Sequence, residues 1–244
     1  MLTTTILATL ALVQSPGPLP TNAAIVFSGI PGIVGSASAD VRMTSHGVSF
    51  DLTKAVATVS SVSLFHNDAA QPATVLLKLP VDAQNPVLGR GWDIDFSATL
   101  DGVKLKVGPW KEEQRLTEAA GSPWTKILRY KAAQVTFKPK ATHVLRLSYQ
   151  VPMGKAGLDG MNRLIAYETA GANSWKGPMD RLNFIVHFGK GVVFHVISAE
   201  PNWGWQIGDK GAFFKQESFR PSGDTLARFI FYPGGYDKIG TIGH

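Results

Sequence analysis

The sequence predicts an all-β protein, an antiparallel β-sandwich that is immunoglobulin-like or larger. Three observations carry that expectation. Apolar residues recur at every second position in residues 48–52, 75–79 and 145–151, the period of a strand with one buried face. Twenty-five glycines and fifteen prolines are spread without a period along 244 residues, as short strands joined by turns require. Hydrophobic residues make up 44% of the chain and aromatics 10%, enough for a real core.

At the start, residues 2–13, LTTTILATLALV, are uncharged and largely apolar and run into a Pro/Gly cluster over 15–20. This resembles a secretory signal peptide. Residues 1–23 are therefore expected to be signal and leader, and residues 24–244 the sandwich, as one body or as two lobes dividing near 108–123. The opening is too short to span a bilayer, which takes about 20 apolar residues. The product is expected to be exported, periplasmic or extracellular, with no transmembrane span once the signal is removed.

Residues 29–35, GIPGIVG, read as a turn-rich leader into the first strand, since no strand-to-helix context makes them a phosphate loop. Further on, residues 92–107 read as a hairpin. An Asp101-Gly102 loop suits a type I′ turn and would pair Leu100 with Val103, Ala98 with Leu105 and Phe96 with Val107. Over 110–121, WKEEQRLTEAAG, early acidic residues and a closing glycine suggest a short helix or helical loop. Strands are expected near 126–137, 164–168, 213–219 and 226–232.

The stretch 182–197, LNFIVHFGKGVVFHVI, carries the strongest pattern. Its even positions Leu182, Phe184, Val186, Phe188, Val192, Phe194 and Val196 are all apolar, so a hairpin around residues 189–191 would share one buried face. His187 and His195 would then be diagonal neighbours on the other face.

The absence of cysteine excludes a disulfide framework, a thiolate metal site and a Cys nucleophile. Net charge is +6, concentrated between Lys104 and Arg146, where ten basic residues meet three acidic ones. Such a patch could attract anionic partners, but alternating lysines also simply solvate outer strand faces. No nucleic-acid module accompanies it, so nucleic acid is not an expected partner.

Four groups of residues offer chemistry. His187 and His195 could contribute two ligands to a metal ion, although a site needs at least a third; the plainer reading is solvated strand histidines. Asp93 and Asp95 share one strand face, as paired carboxylates of a hydrolase or cation site would, yet cross-strand pairing with lysines is the simpler account. Trp203 and Trp205, in the run EPNWGW, could form a platform for stacking sugar rings, or plug the open end of the core. Trp175, ahead of Gly177-Pro178, reads as a turn tryptophan that locks two strands. Nucleophile-elbow, zincin and dinucleotide motifs are missing, and no cofactor is implied.

Three segments, ADVRMTSHGVSFDL (39–52), VSLFHN (62–67) and LKLP (77–80), are followed by YETAGANSWKGP (167–178). Together they resemble a family of exported bacterial proteins catalogued as a domain of unknown function. Members of that family carry an N-terminal strand block and a Tyr…Thr-Gly-x-x-Trp-x-Gly signature, which Ala170 interrupts here. The resemblance spans about residues 39–232 and implies a β-rich envelope or extracellular domain with no catalytic residues to carry over.

The function expected is thus a non-enzymatic exported sandwich, a cell-envelope or extracellular binding or structural module for a glycan or protein partner. The alternative is an exported polysaccharide hydrolase or metal-dependent hydrolase. Ligand and oligomeric state are not legible.

Overall fold

The computed structural model describes residues 26–35, 40–53, 56–83, 96–119, 122–156, 162–189, 195–201, 204–221 and 226–232. The expected signal segment, Asp93, Asp95 and Trp203 lie outside them.

Seventeen strands are described. In chain order they are β1 (Val26–Gly29), β2 (Gly32–Ile33), β3 (Val41–Leu52), β4 (Val56–Asn67), β5 (Ala73–Ala83) and β6 (Phe96–Leu100). There follow β7 (Val103–Lys104), β8 (Lys111–Ala119), β9 (Ser122–Phe137), β10 (Thr142–Pro152), β11 (Gly154–Ala156) and β12 (Asn162–Glu168). A 3-10 turn over Ala170–Ser174 precedes β13 (Met179–Phe188), β14 (His195–Glu200), β15 (Trp205–Gly208), β16 (Gly211–Phe219) and β17 (Leu226–Tyr232). The protein is all-β, and strands cover the period-two segments 48–52, 75–79 and 145–151; residues 92–95 and 190–194 of the two expected hairpins lie outside the described residues, and β7 is shorter than the strand expected over 103–107.

Two large sheets pack face to face. One runs β14-β17-β12-β1-β5-β9-β8, with β2 also on β5 and β11 also on β12; the other runs β15-β16-β13-β3-β4-β10-β6-β7. Most pairings are antiparallel. Two are parallel, β1 with β12 and β3 with β13, and both tie an early strand to a late one.

The core lies between the sheets and is lined with rings. Phe65, Phe137 and Trp175 cluster at one end, with Phe65 and Trp175 centroids 4.5 Å apart. Tyr167 meets Phe184 at 5.5 Å in the middle, and Trp205, Phe214 and Phe229 close the other end. Each buried aromatic adds its area to the hydrophobic term, and tilted or edge-on contacts add about 0.5–1.5 kcal/mol per pair.

The Asp-Gly hairpin forms in the expected register, Leu100 opposite Val103 and Thr99 opposite Lys104. Asp101 and Gly102 have φ of 52° and 81°, the left-handed pair that a type I′ turn needs. The buried face does not extend to its tip. Ala98 is buried at 2%, but Val103 is 70% exposed, because β7 is the terminal strand of its sheet.

Two sequence expectations are corrected. The segment 110–121 is not helical: β8 pairs with β9 from Lys111 opposite Tyr130 to Ala119 opposite Ser122. Local propensity gave way to a ladder with a neighbouring strand, which a window of ten residues cannot see. The second correction concerns 182–197. Its two halves are not a hairpin, since β13 belongs to the eight-stranded sheet and β14 to the other. Both edges of β13 are taken, by β3 on one side and β16 on the other, so no edge is left for β14. At Gly189 a Cβ would lie 2.4 Å from the Leu52 carbonyl oxygen, so the chain leaves β13 pressed against the end of β3. The alternation itself was read correctly for β13, where Leu182, Phe184 and Val186 are buried.

Candidate functional site

The surface feature that stands out is a depression of about 430 Å³ on the outer face of the eight-stranded sheet, where β13, β16 and β15 meet. Register explains it. Phe184, Val186, Ala212 and Phe214 turn to the core, so Ile185 and Phe213, which pair with each other, face outward beside Gln206. The next row reads His187, Gly211, Gly208, and its two glycines present bare backbone instead of side chains.

Gly211 is required there: a Cβ would lie 2.0 Å from the Val186 carbonyl oxygen. Gly208 has open space around it. The notch is therefore floored by backbone, walled by Ile185, Phe213 and His187, and rimmed by Gln206, Ile207 and Lys210. An apolar wall with a few hydrogen-bonding groups is the general composition of a small-ligand or side-chain site.

Around it the face is polar. Asp51 pairs with His187 across the parallel ladder. Farther along β16, Lys215 bonds Glu217 at 2.7 Å; together with Arg181 it holds that carboxyl below its usual range.

The residues singled out from sequence fall as follows. His187 lines the notch and is exposed. His195 begins β14 in the other sheet, its backbone opposite Tyr232, so the two histidines are not the diagonal neighbours a hairpin would have made. Among the described residues no three His, Asp or Glu side chains converge as metal ligands would. Trp205 packs inward at 5.4 Å from both Phe214 and Phe229, plugging the end of the core; its indole N–H is buried with no partner among the described residues. Trp175 locks strands as expected: it is 3% exposed and its indole N–H donates to the Pro31 carbonyl at 2.8 Å.

Sequence reading missed Phe213, Gln206, Ile207 and Lys210. The available signal was the run WQIGDKGAFF, two short alternating segments around a tight turn.

Two buried polar groups are candidates for chemistry and turn out to be structural. His46, fully buried, hydrogen bonds Ser63 through Nδ1 at 2.8 Å and Tyr167 through Nε2 at 2.7 Å. Burial pushes its pKa down to about 3, so the ring is neutral, one nitrogen donating and the other accepting. Tyr167 is raised well above the ordinary phenol value, chiefly by burial and then by Tyr149, with nearby Ser61 opposing. This bridge ties β3 and β4 of one sheet to β12 of the other and has no access to solvent.

His143 forms the second group. Its Nε2 accepts the Lys138 backbone N–H at 2.8 Å, which places the proton on Nδ1, donated to Asp101 at 2.6 Å. Burial raises Asp101, but bonds from Val144 N–H and His143 outweigh it and hold the carboxyl low. With both ring nitrogens engaged, this pair clamps the hairpin onto β10 and offers no free base.

No family model and no curated protein matches the chain. Among solved structures, the chain is similar to a "putative nutrient binding protein" from Legionella pneumophila, with TM-score 0.66 and 12% identity over 87% of this chain and 73% of that one. It also overlaps an M1 zinc metallopeptidase from Deinococcus radiodurans (TM-score 0.35, 8% identity, 80% of this chain) and yeast LTA4 hydrolase (TM-score 0.39, 10% identity, 79% of this chain). The chain spans 43% and 28% of those two proteins. At 12% identity, the first likeness establishes a shared fold.

Proposed function

We propose that this protein is an exported, non-enzymatic binding or structural module of the cell envelope that meets a glycan or protein partner at the outer-face notch. One observation carries the reading: two side chains are missing from an ordered sheet face, at Gly208 and Gly211, directly beside the Phe213 ring and the polar groups of Gln206, His187 and Lys210. An aromatic ring next to hydrogen-bonding groups suits a partner with one apolar and one polar face. The nutrient-binding description of the Legionella neighbour is compatible with such a role. The apolar opening over residues 2–13 supports export.

A glycan array followed by calorimetry on wild type, Phe213→Ala and Trp203→Ala tests it. Phe213→Ala is expected to weaken binding tenfold or more without changing the melting temperature by more than a few degrees. Trp203, two positions before Trp205 in the sequence, is tested for the same effect as part of the sugar platform. Trp205→Ala serves as a contrast, because its ring is part of the core and its loss should cost about 3 kcal/mol of stability. Ligands that bind Phe213→Ala and Trp203→Ala as tightly as wild type would rule out the notch and the platform together.

A further inference from the structure

Four strands end the two sheets, and three of them carry charge. β8 begins Lys111-Glu112-Glu113, β7 has the exposed Lys104, and β14 ends in Glu200. Charged side chains on a terminal strand discourage another chain from pairing there. β15, Trp205-Gln206-Ile207-Gly208, has none.

No described strand covers the outer edge of β15. Gln206, Ile207 and Gly208 are all exposed, as are Asp209 and Lys210 in the turn that follows. Ile207 is 52% exposed, one of only two large hydrophobic residues exposed to that degree among the described residues. The other, Val103, sits on the lysine-guarded β7.

We infer that the outer edge of β15 accepts a short extended peptide from a partner protein, which adds to the eight-stranded sheet as a further strand, its side chains meeting Ile207 on the core-side face and the notch on the outer face in alternation. Residues on the free side of an edge strand present alternating N–H and C=O groups, and an extended polypeptide backbone is the chemistry that pairs with such a row. Gln206 and Gly208 turn to the notch and Ile207 to the other face of the same strand, so one added strand with alternating side chains would engage both faces together. A second copy of this chain fits less well. Self-pairing of a four-residue strand covers far less than the roughly 1,600 Å² of a standard stable interface. The inference rests on the binding-module reading and narrows its partner to a peptide.

The probe is a random linear dodecamer phage library panned on the full chain, with enriched peptides synthesised and measured by fluorescence anisotropy. Enriched peptides should carry apolar residues at every second position. Ile207→Lys should weaken them tenfold or more, whereas Val103→Lys on the far terminal strand should leave them unchanged. Saturating peptide should slow amide exchange across residues 205–208, a readout that needs no variant.

No enrichment over blank support, equal binding to Ile207→Lys, or protection confined to other strands would overturn the inference. A glycan that binds wild type and Ile207→Lys alike but not Phe213→Ala would remove strand addition while leaving the binding-module reading in place. Silence from both libraries would remove both. A dimer in sedimentation velocity that disappears in Ile207→Lys would assign the edge to a second copy and overturn the peptide partner.

Discussion

At His46 a single ring nitrogen on each side holds two sheets together, and the same burial makes it an acid-sensitive point. Its pKa is about 3 in the folded protein against 6.5 for the ordinary side chain. The unfolded chain therefore takes up the proton first. Stability contributed by the neutral ring is whole above about pH 6.5 and falls as pH drops toward 3, by up to about 1.4 kcal/mol per unit. Tyr167, the group stacked on it, stays uncharged over that range. Replacing His46 by Gln should cost about 1–3 kcal/mol at pH 7.5, since Ser63 and Tyr167 lose a buried partner. The gap should narrow in urea melts taken from pH 7.5 to 4; a constant gap would show that the ring is not the linked group. The inward turn of His46 was partly legible. Buried positions in β3 are Val41 and Met43, then His46, Val48, Phe50 and Leu52, and the change of parity falls where the ladder with β4 shifts between Met43 and Ser45. The partners of His46 were not legible, because Tyr167 lies 121 residues away.

Among the elements, the 3-10 turn Ala170–Ser174 is the one whose sequence explains its placement most fully. Ser174 accepts the Ile33 N–H at 2.9 Å and donates to the Gly171 carbonyl at 2.7 Å, while Trp175 bonds Pro31. Gly171 sits so close to β1 and β2 that a Cβ would lie 2.1 Å from the Ile30 carbonyl oxygen, and Gly177 takes φ of 68°. Gly171→Ala should therefore destabilise by about 2–3 kcal/mol, because the obstacle is backbone and cannot rotate aside. Thermal melts check this, with Gly47→Ala, where nothing lies within 4 Å of the added Cβ, expected within about 0.5 kcal/mol of wild type. At the Asp-Gly hairpin, Asp101→Ala removes bonds to His143 and the Val144 N–H and should cost about 1–2 kcal/mol in urea unfolding. A loss below a few tenths would show that the clamp is not needed. That hairpin was read correctly because turn type and register are local matters. β8 was not, because its charged, helix-favouring residues sit in a strand only by virtue of β9.

Over the whole molecule, the contacts that close the sandwich are distant in sequence. Trp175 reaches Pro31 across 144 residues, and β1 cannot join β12 until most of the chain has emerged. Closing such loops before their contacts form makes folding slow, so refolding should take from milliseconds to seconds by stopped-flow fluorescence. A dominant phase faster than about 100 µs would contradict this. The sequence by itself determined the fold class, most strands, the buried faces of residues 48–52, 145–151 and β13, and the type I′ turn, because alternation and turn chemistry are properties of a few adjacent residues. Only the tertiary structure decided which strands are neighbours. It sent the two halves of 182–197 into opposite sheets, parted His187 from His195, turned Trp205 inward, and placed Phe213 and Gln206 beside His187 on the outer face. The reason is physical: a strand has two edges and does not encode in its own residues which partners will fill them.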